Sequence, residues 1–303
     1  ISSIRWHALT RVIYAFAVPG ANGALDVSSL TQTHALVAAA HTHGVEAHLS
    51  VGGGGQSGGL RALAASASAR SRFAFNVVDY LGRHCLDGVD IDWESWTKNE
   101  DNTPLSSEVD NLVLLLTDLR TELDKVGLQM SVDVFPSDWF GRHYADAVED
   151  LVDHVYVMGY NFSGPWSDPG PHSSYEDVIG SGSSRWSTGL AYWREYRRWS
   201  VGKTYLGIPF YGRDFGTAGA PGIAYRSIVE RYPDAPNSDR VANIYYDGVA
   251  TIEAKTQYIR DNGYPGVMIW EIAHDTDNPS TSLLSAIDRV ANPGLSQVWV
   301  DRD

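Results

Sequence analysis

The chain has 303 residues, of which 43% are hydrophobic, and its formal net charge is −14 at pH 7. This apolar fraction excludes a disordered chain, and no apolar run reaches the roughly 18 residues that a membrane-spanning helix needs. Because no dense Lys or Arg cluster offsets the negative charge, we expect no nucleic acid and no membrane as partner, but a neutral ligand. We also expect a monomer.

Short runs of branched apolar residues alternate with helical patterns along the whole chain. The strand-like runs are RVIYAFAV (11–18), VEAHLSV (45–51), DGVDIDW (87–93), LQMSVDVF (128–135), HVYVMGY (154–160), TYLGIPF (204–210) and PGVMIW (265–270). Apolar residues three and four apart predict helices at 28–43, 66–84, 106–126, 251–262 and 281–290. This rhythm predicts an α/β fold, a (β/α)8 TIM barrel that forms a single domain over 1–303.

Two features depart from a regular barrel. Only seven strands are predicted where a closed barrel needs eight, so either the first strand is absent from the sequence or the tail SQVWVDRD (296–303) fills its place. Residues 214–250 exceed an ordinary connection, and their mixed Gly, Pro and Tyr content predicts a small insertion of irregular or β structure between the last two strands.

The third predicted strand carries carboxylates at every second residue. In LDGVDIDWESW (86–96), Asp90, Asp92 and Glu94 share one face, because side chains two apart on a strand point to the same side. Neighbouring carboxylates in a poorly solvated site raise one another's pKa, which makes Glu94 a candidate general acid. The residues alone leave three interpretations open: acid catalysis, a divalent-metal site, and a solvated acidic strand end.

The chain resembles glycoside hydrolase family 18, which includes chitinases and endo-β-N-acetylglucosaminidases. Residues 87–94 (DGVDIDWE) match the DGxDxDxE strand of that family in full, and HLSVGG (48–53) is similar to its SxGG motif. YAFA (14–17), MGYN (158–161), LGIPFYGR (206–213) and GVMIWE (266–271) are similar to its other strand motifs, in the same order. The resemblance therefore covers nearly the whole chain.

The resemblance implies a retaining enzyme, without metal or cofactor, that cleaves β-1,4 linkages between N-acetylglucosamine units of chitin or chitooligosaccharides. Glu94 would protonate the glycosidic oxygen, Asp92 would orient the N-acetyl group, and Asp90 would support Asp92 by sharing a proton. The acetamido oxygen of the substrate would attack the anomeric carbon, because carboxylates on one strand cannot easily flank a sugar ring on opposite faces. Secretion is implied by the resemblance alone.

Further site residues follow from the same resemblance. Tyr160 would donate a hydrogen bond to the acetamido carbonyl, and Trp270 would stack beneath the sugar whose bond is cut. Asn161 stands where many family members have Asp, so we expect a different local charge and pH optimum. The less specific matches to pocket positions are Phe16, Met158, Tyr211 and Arg213. Candidates for neighbouring subsites are Trp96, Trp139 and Trp166.

Other functions stay open. An endo-β-N-acetylglucosaminidase acting on the chitobiose core of N-glycans would use the same strand, and a chitin-binding lectin without catalysis would lack the acid that Glu94 supplies. Glu271 could act as the nucleophile of a double displacement, although it is expected to face away from Trp270. The GxGxxG spacing in residues 53–58 is a weak match to a dinucleotide site, because no acidic residue follows about twenty positions later at a strand end.

Overall fold

A computed structural model describes residues 1–180 and 188–293 of the chain. They form two compact units. The first contains Ile1–Phe135 and Trp139–Val155, and the second contains Pro136–Asp138 and the described residues from Tyr156 onward. All seven predicted strands are present, with ends that differ by up to three residues. The assignment of one domain to 1–303 stays a prediction.

The first unit is a parallel sheet with helices between its strands. Its strands are β1 (Arg11–Pro19), β2 (Leu25–Asp26), β3 (Glu46–Gly52), β4 (Gly88–Asp92) and β5 (Gln129–Val134), followed by β6 (His154–Val157), which begins in this unit. Its helices are α1 (Thr33–Thr42), α2 (Gly58–Ala65), α3 (Ala67–His84), α4 (Ser106–Asp124), most of α5 (Asp138–Gly141), and α6 (Ala147–Leu151). The parallel strands pair in the order β5-β4-β3-β1, and β2 returns antiparallel on β1.

The second unit repeats the pattern and carries the insertion. It contains α7 (Tyr175–Ile179), α8 (Gly189–Ala191), β7 (Thr204–Pro209), β8 (Tyr211–Asp214), β9 (Gly222–Ala224), α9 (Tyr225–Arg231), β10 (Arg240–Val241), β11 (Ile244–Tyr245), α10 (Val249–Asp261), β12 (Val267–Trp270) and α11 (Leu283–Ala291). Strands β7 and β12 are parallel. The inserted strands form an antiparallel sheet in the order β10-β11-β8-β9, so the predicted insertion is confirmed, although it begins at Tyr211.

The helix predictions at 28–43, 66–84, 106–126, 251–262 and 281–290 are confirmed as α1, α3, α4, α10 and α11. Helix α1 begins only at Thr33, because Asp26 Oδ1 accepts from Ser28 N and the Val27 carbonyl accepts from Leu30 N, which holds this segment in a turn. Strand β2 and helix α2 were not predicted as separate elements.

Strand β4 is buried on both faces, as expected for a parallel strand between other strands and helices. Val89 and Ile91 lie on one face with Trp93 beyond the strand end, and none of these three side chains is exposed. Asp90 and Asp92 occupy the opposite face and are also buried. The amphipathic pattern of the sequence therefore becomes an apolar face and a carboxylate face.

The amino ends of the strands in the first unit are tied together by a polar network. Arg11 on β1 donates to Glu46 on β3 at 2.6 Å and to Gln129 on β5 at 2.9 Å. Gln129 in turn donates to Glu46 Oε1 at 2.9 Å. This network fixes the ends of three strands and leaves their carboxyl ends to form a site.

The tail at 296–303, predicted as a substitute for the eighth strand, lies outside the described residues, so the origin of that strand stays a prediction. Within residues 1–180 and 188–293, no helix combines the length and the apolar character that crossing a bilayer requires.

Candidate active site

The carboxylate face of β4 is held from both neighbouring strands. In the sheet register, Asp90 pairs with Ser50 on β3 and with Ser131 on β5. Both serine hydroxyls donate to the Asp90 carboxylate, each at 2.7 Å, one to each oxygen. Asp90 is therefore fixed in position as a hydrogen-bond acceptor at the base of the carboxylate column.

Asp92 and Glu94 form a hydrogen-bonded pair of carboxyl groups at the carboxyl end of β4. Burial raises the pKa of Asp92 well above its usual range, and the charges of Glu94 and Asp90 and a hydrogen bond to Glu94 raise it further. Burial also raises the pKa of Glu94, while hydrogen bonds from Asp92 and from the Gly54 backbone lower it in part. The pair thus places a protonated Asp92 beside Glu94, whose own pKa is tuned upward as a general acid requires.

A fourth carboxyl group, Asp133 on β5, joins this column and was assigned no role from the sequence. Its side chain is only 7% exposed. Burial, the charges of Asp90 and Asp92 and a hydrogen bond to Asp90 raise the pKa of Asp133 well above its usual range. The available signal was positional: in SVDV, Ser131 and Asp133 share the face opposite to Val132.

The glycine-rich loop after β3 packs against the end of β4. Gly52 has φ of 115°, and a Cβ there would lie 2.2 Å from the Asp92 carbonyl oxygen. Further along, Ser57 Oγ accepts from the backbone N–H groups of Glu94 and Ser95, at 3.1 Å each. The loop therefore holds the backbone that carries the candidate acid.

Phe16 and the candidate tryptophans of the first unit occupy different environments. The Phe16 ring lies against Gly53, where a Cβ would come within 2.7 Å of it. Trp96 is buried and stacks on Trp93 with ring centroids 4.5 Å apart, and its assignment to a neighbouring subsite stays a prediction. Trp139 is 58% exposed, with the Lys98 ammonium 3.3 Å above its ring.

The predicted residues of the second unit gather around Asn161, which follows β6. Met158 and Tyr160 are buried, whereas Asn161 is exposed and has φ of 64°. Asn161 Oδ1 accepts from Tyr211 Oη at 2.8 Å and from an Arg213 guanidinium nitrogen at 2.6 Å. Because its carbonyl oxygen takes both donors, the amide nitrogen of Asn161 is left to donate elsewhere.

A pocket of about 320 Å³ opens beside this group. It is lined by Asn161, Tyr211, Arg213, Gly222, Ala224, Trp270 and His274. Its volume and its mixture of aromatic rings with a few polar groups are typical of a site for one small ligand unit. Four of the residues that the sequence predicted therefore line one pocket.

His172 supports this pocket and was not found from the sequence. Its Nε2 donates to the Tyr211 carbonyl at 3.1 Å, and its ring lies 4.9 Å from the Tyr211 ring. Burial lowers the pKa of His172 to about 3, so the ring stays neutral near neutral pH. Only the fold reveals this contact, because 39 residues separate the two positions.

Two other candidates of the second unit are exposed. Glu271 is partly exposed and its carboxylate contacts His274 Nε2 at 3.1 Å. Trp166 is 62% exposed, with the Arg213 guanidinium 5.5 Å from its ring. Across residues 1–180 and 188–293, no group of three or more His, Cys, Asp or Glu side chains is arranged to hold a metal ion.

The predicted site residues thus form two groups. The first unit holds Phe16, Asp90, Asp92 and Glu94, and the second holds Met158, Tyr160, Asn161, Tyr211, Arg213 and Trp270.

Known proteins share this sequence pattern. The family described as "Glycosyl hydrolases family 18" matches residues 2–275. A chitinase-like effector of Moniliophthora perniciosa is 32% identical over 228 residues, which cover 70% of this chain and 52% of that protein. Endochitinase 1 of Metarhizium robertsii is 25% identical over 289 residues, which cover 82% of this chain and 66% of that protein. The chain therefore spans less than two thirds of the length of these relatives.

A solved structure shares the fold. The crystal structure of a chitinase from Bacteroides thetaiotaomicron has a TM-score of 0.85 and 26% sequence identity, and the match covers 97% of this chain and 92% of that one. The predicted α/β class with (β/α)8 barrel architecture is thereby confirmed. Because the family match extends over most of its residues, the chain belongs to glycosyl hydrolases family 18.

Proposed function

We propose that this chain is a retaining glycoside hydrolase that cleaves β-1,4 linkages between N-acetylglucosamine units of chitin or chitooligosaccharides by substrate-assisted catalysis. The observation that carries the proposal is the buried column of Asp90, Asp92 and Glu94 at the carboxyl end of β4, where burial raises the pKa of Asp92 and Glu94, in a chain of this family. Its relatives include an endochitinase and a chitinase, which supports chitin as the substrate.

The reaction begins from the state in which Glu94 as well as Asp92 carries a proton, since burial raises the pKa of both carboxyl groups. Glu94 gives its proton to the glycosidic oxygen while the bond from that oxygen to the anomeric carbon breaks. The acetamido oxygen of the same sugar attacks the anomeric carbon and forms a cyclic oxazolinium ion. Water then adds to the anomeric carbon and gives a proton to the Glu94 carboxylate, which reopens the ring with net retention.

Asp92 is suited to orient the acetamido group. Its Oδ1 is buried and has no hydrogen-bond partner among residues 1–180 and 188–293. A buried carboxyl oxygen without a partner is costly, and an N–H donor from the substrate would satisfy it. In this arrangement the proton of Asp92 is directed at Glu94 and the free oxygen accepts from the acetamido N–H.

The pocket of the second unit would bind a sugar unit. Trp270 offers an aromatic face for the apolar face of the ring, and the Asn161 amide and Arg213 offer hydrogen-bond donors to hydroxyl or carbonyl oxygens. Tyr160 is proposed as the hydrogen-bond donor that holds the acetamido carbonyl oxygen next to the anomeric carbon.

Glu94→Gln tests the proposal. We expect hydrolysis of a fluorogenic N-acetyl-chitooligosaccharide to fall by about 10²- to 10⁴-fold, because the amide cannot protonate the leaving oxygen, while binding to the unlabelled oligomer persists. NMR of the first product of the wild type should show the β-anomer. Glu122→Gln, the same change at a partly exposed residue of α4, serves as the control and should leave the rate unchanged.

Each alternative gives a different result in this assay. A wild type that binds the oligomers but never cleaves them indicates a lectin. Cleavage of a high-mannose glycopeptide without cleavage of chitin oligomers indicates an endo-β-N-acetylglucosaminidase. We also propose that the protein is secreted, because chitin is an extracellular polymer, and that it is monomeric; detection in the culture medium and light scattering would test these two points.

A further inference from the structure

Asp133 lies on the same face of the sheet as the carboxylates of β4. Residues Asp90 and Ser131 pair in the register of β4 and β5, and Ser131 Oγ donates to Asp90 at 2.7 Å. Asp133 follows Ser131 by two residues, about 7 Å along β5, and therefore lies on the same face as Ser131. Asp133 is as deeply buried as Asp92, so bulk water does not solvate either carboxyl group.

Four carboxyl groups in one buried column cannot all be ionised, because like charges at this separation repel strongly without solvent. The titratable groups that act on one another here, within the first unit, are Asp90, Asp92, Glu94, Asp133 and Tyr144. Tyr144 stays neutral, because burial raises its pKa well above the usual range. Some of these carboxyl groups must therefore be protonated.

The hydrogen bonds decide where these protons lie. Each of the two Asp90 oxygens accepts from a serine hydroxyl, so Asp90 acts as a hydrogen-bond acceptor toward both neighbouring strands. Because both Asp90 oxygens are acceptors, the proton of the hydrogen bond between Asp133 and Asp90 belongs to Asp133, and burial together with this hydrogen bond raises the pKa of Asp133. Asp133 Oδ1 is buried and has no hydrogen-bond partner within residues 1–180 and 188–293, which leaves Oδ2 for the hydrogen bond to Asp90.

We propose that Asp133 is a positioning residue for the hydrolysis: as a neutral carboxyl group it donates to Asp90, occupies the oxygens of Asp90 together with Ser50 and Ser131, and so leaves Asp92 to donate to Glu94. The inference rests on the proposed function, because it assigns Asp133 a part in preparing the acid of that reaction. It also makes a claim about protonation that holds whether or not the chain is an enzyme.

The kinetic test compares Asp133→Ala with Asp133→Asn. The alanine variant removes the donor to Asp90, so Asp92 turns its hydrogen bond from Glu94 to Asp90. Since that hydrogen bond lowers the pKa of Glu94, its loss should move the alkaline limb of kcat/KM to higher pH by about half a unit or more. We expect kcat to fall about tenfold or more, with a smaller change in KM. The amide of Asp133→Asn still donates, so it should restore kcat to within a few fold.

Val132→Ala is the matched control. Val132 precedes Asp133 on β5 and is fully buried on the other face. Its truncation to alanine leaves a cavity in the same strand, as Asp133→Ala does, but removes no carboxyl group. It should lower the melting temperature and leave the alkaline limb in place. A purely structural role for Asp133 would give the same result for Asp133→Ala.

The second measurement does not need activity. A carboxyl group whose folded pKa is raised binds its proton more tightly in the folded state, so its contribution to stability is lost as the pH rises above the unfolded value. Asparagine does not titrate, so the Asp133→Asn variant does not lose stability in this way as the pH rises. The melting temperature of Asp133→Asn minus that of the wild type should therefore increase between about pH 4.5 and 7.5, by roughly 2 °C or more. Asp150→Asn, at an exposed residue of α6, should show no such trend.

The outcomes separate the two proposals. An inactive wild type with the expected trend in melting temperature contradicts the hydrolase but supports the protonated Asp133. An unmoved alkaline limb in Asp133→Ala, a limb that moves to lower pH, or an Asp133→Asn variant as impaired as Asp133→Ala overturns the positioning role. A melting-temperature difference that does not rise with pH overturns the protonation claim itself.

Discussion

At the scale of single residues, the backbone after β3 can take its conformation only because glycine stands at position 53. Gly53 has φ of 85°, where other residues are strained, and its Cα faces the Phe16 ring. Its N–H donates to the Asp92 carbonyl at 2.9 Å, which ties the loop to the carboxylate strand. The position of the candidate acid therefore depends on a residue that carries no chemistry of its own.

Gly53→Ala should destabilise the protein for two reasons, strain at positive φ and a clash with Phe16. Gly55→Ala is the matched control, because Gly55 has a similar φ of 82° but nothing within 4 Å of an added Cβ. We expect about 1 kcal/mol of lost unfolding free energy for Gly55→Ala and at least about 2 kcal/mol for Gly53→Ala, measured by urea unfolding. Equal losses would show that the contact with Phe16 contributes nothing.

At the scale of elements, helix α10 is joined to the segment before α7 by a buried lysine. Lys255 has no exposed surface, and its ammonium donates to Asp247 Oδ2 and to Ser173 Oγ, at 2.7 Å each. Ser173 Oγ donates in turn to the Gly159 carbonyl, two residues before Asn161. A buried ion pair thus anchors the chain on either side of the pocket residue Asn161.

Lys255→Met should cost about 3–5 kcal/mol, because it leaves Asp247 buried without a counter-ion. Burial raises the pKa of Asp247, whereas Lys255 lowers it, so the folded pKa of Asp247 rises further in the variant. The loss of stability relative to the wild type should be smallest near pH 4 and grow as the pH rises. Above about pH 4 the unfolded chain releases the proton of Asp247 freely, whereas the folded variant holds a buried carboxyl group that ionises only at a cost, so the unfolded state is favoured. Chemical unfolding at several pH values measures this.

The control for this prediction is Lys125→Met, the same substitution in a pair with Glu122 at the surface. It should change stability little at any pH, since exposed ion pairs contribute little. A pH-independent deficit in Lys255→Met would mean that Asp247 stays protonated even beside the lysine.

At the scale of the whole molecule, the strands and the main catalytic candidates could be predicted from the sequence because their signals are local. Branched apolar runs mark the strands, and the alternation of Asp90, Asp92 and Glu94 shows which side chains share a face. Similar reasoning located the insertion, since 37 residues between strands need structure of their own.

The remaining residues act through distant partners, which a local pattern cannot reveal. Asp133 is a single acidic residue in an apolar run, and its role depends on Asp90 on the neighbouring strand. His172 and Lys255 likewise contact residues 39 and 82 positions away, Tyr211 and Ser173. The stacking of Trp96 on Trp93 could not be predicted either, because proximity to a strand end does not determine whether a ring turns to solvent or packs on its neighbour.

The net charge leads to a prediction about substrate analogues. A chain with a charge of −14 attracts polycations over long distances, and salt screens such attraction. Fully deacetylated chitosan oligomers carry positive charge at about pH 6, whereas N-acetylated oligomers are neutral. We therefore expect chitosan binding to weaken several-fold between about 50 and 300 mM salt, and binding of the acetylated oligomer of equal length to change less than about twofold.

Binding and cleavage should separate in the same experiment. Chitosan lacks the acetamido oxygen that would attack the anomeric carbon, so it should bind at low salt and remain uncut, while the acetylated oligomer is hydrolysed at both salt concentrations. Glu94 and Asp92 are present for either ligand, so the acetyl group is the only missing participant. Cleavage of deacetylated oligomers at a comparable rate would contradict substrate assistance, and a protein nucleophile such as Glu271 would then have to be tested by trapping a covalent intermediate.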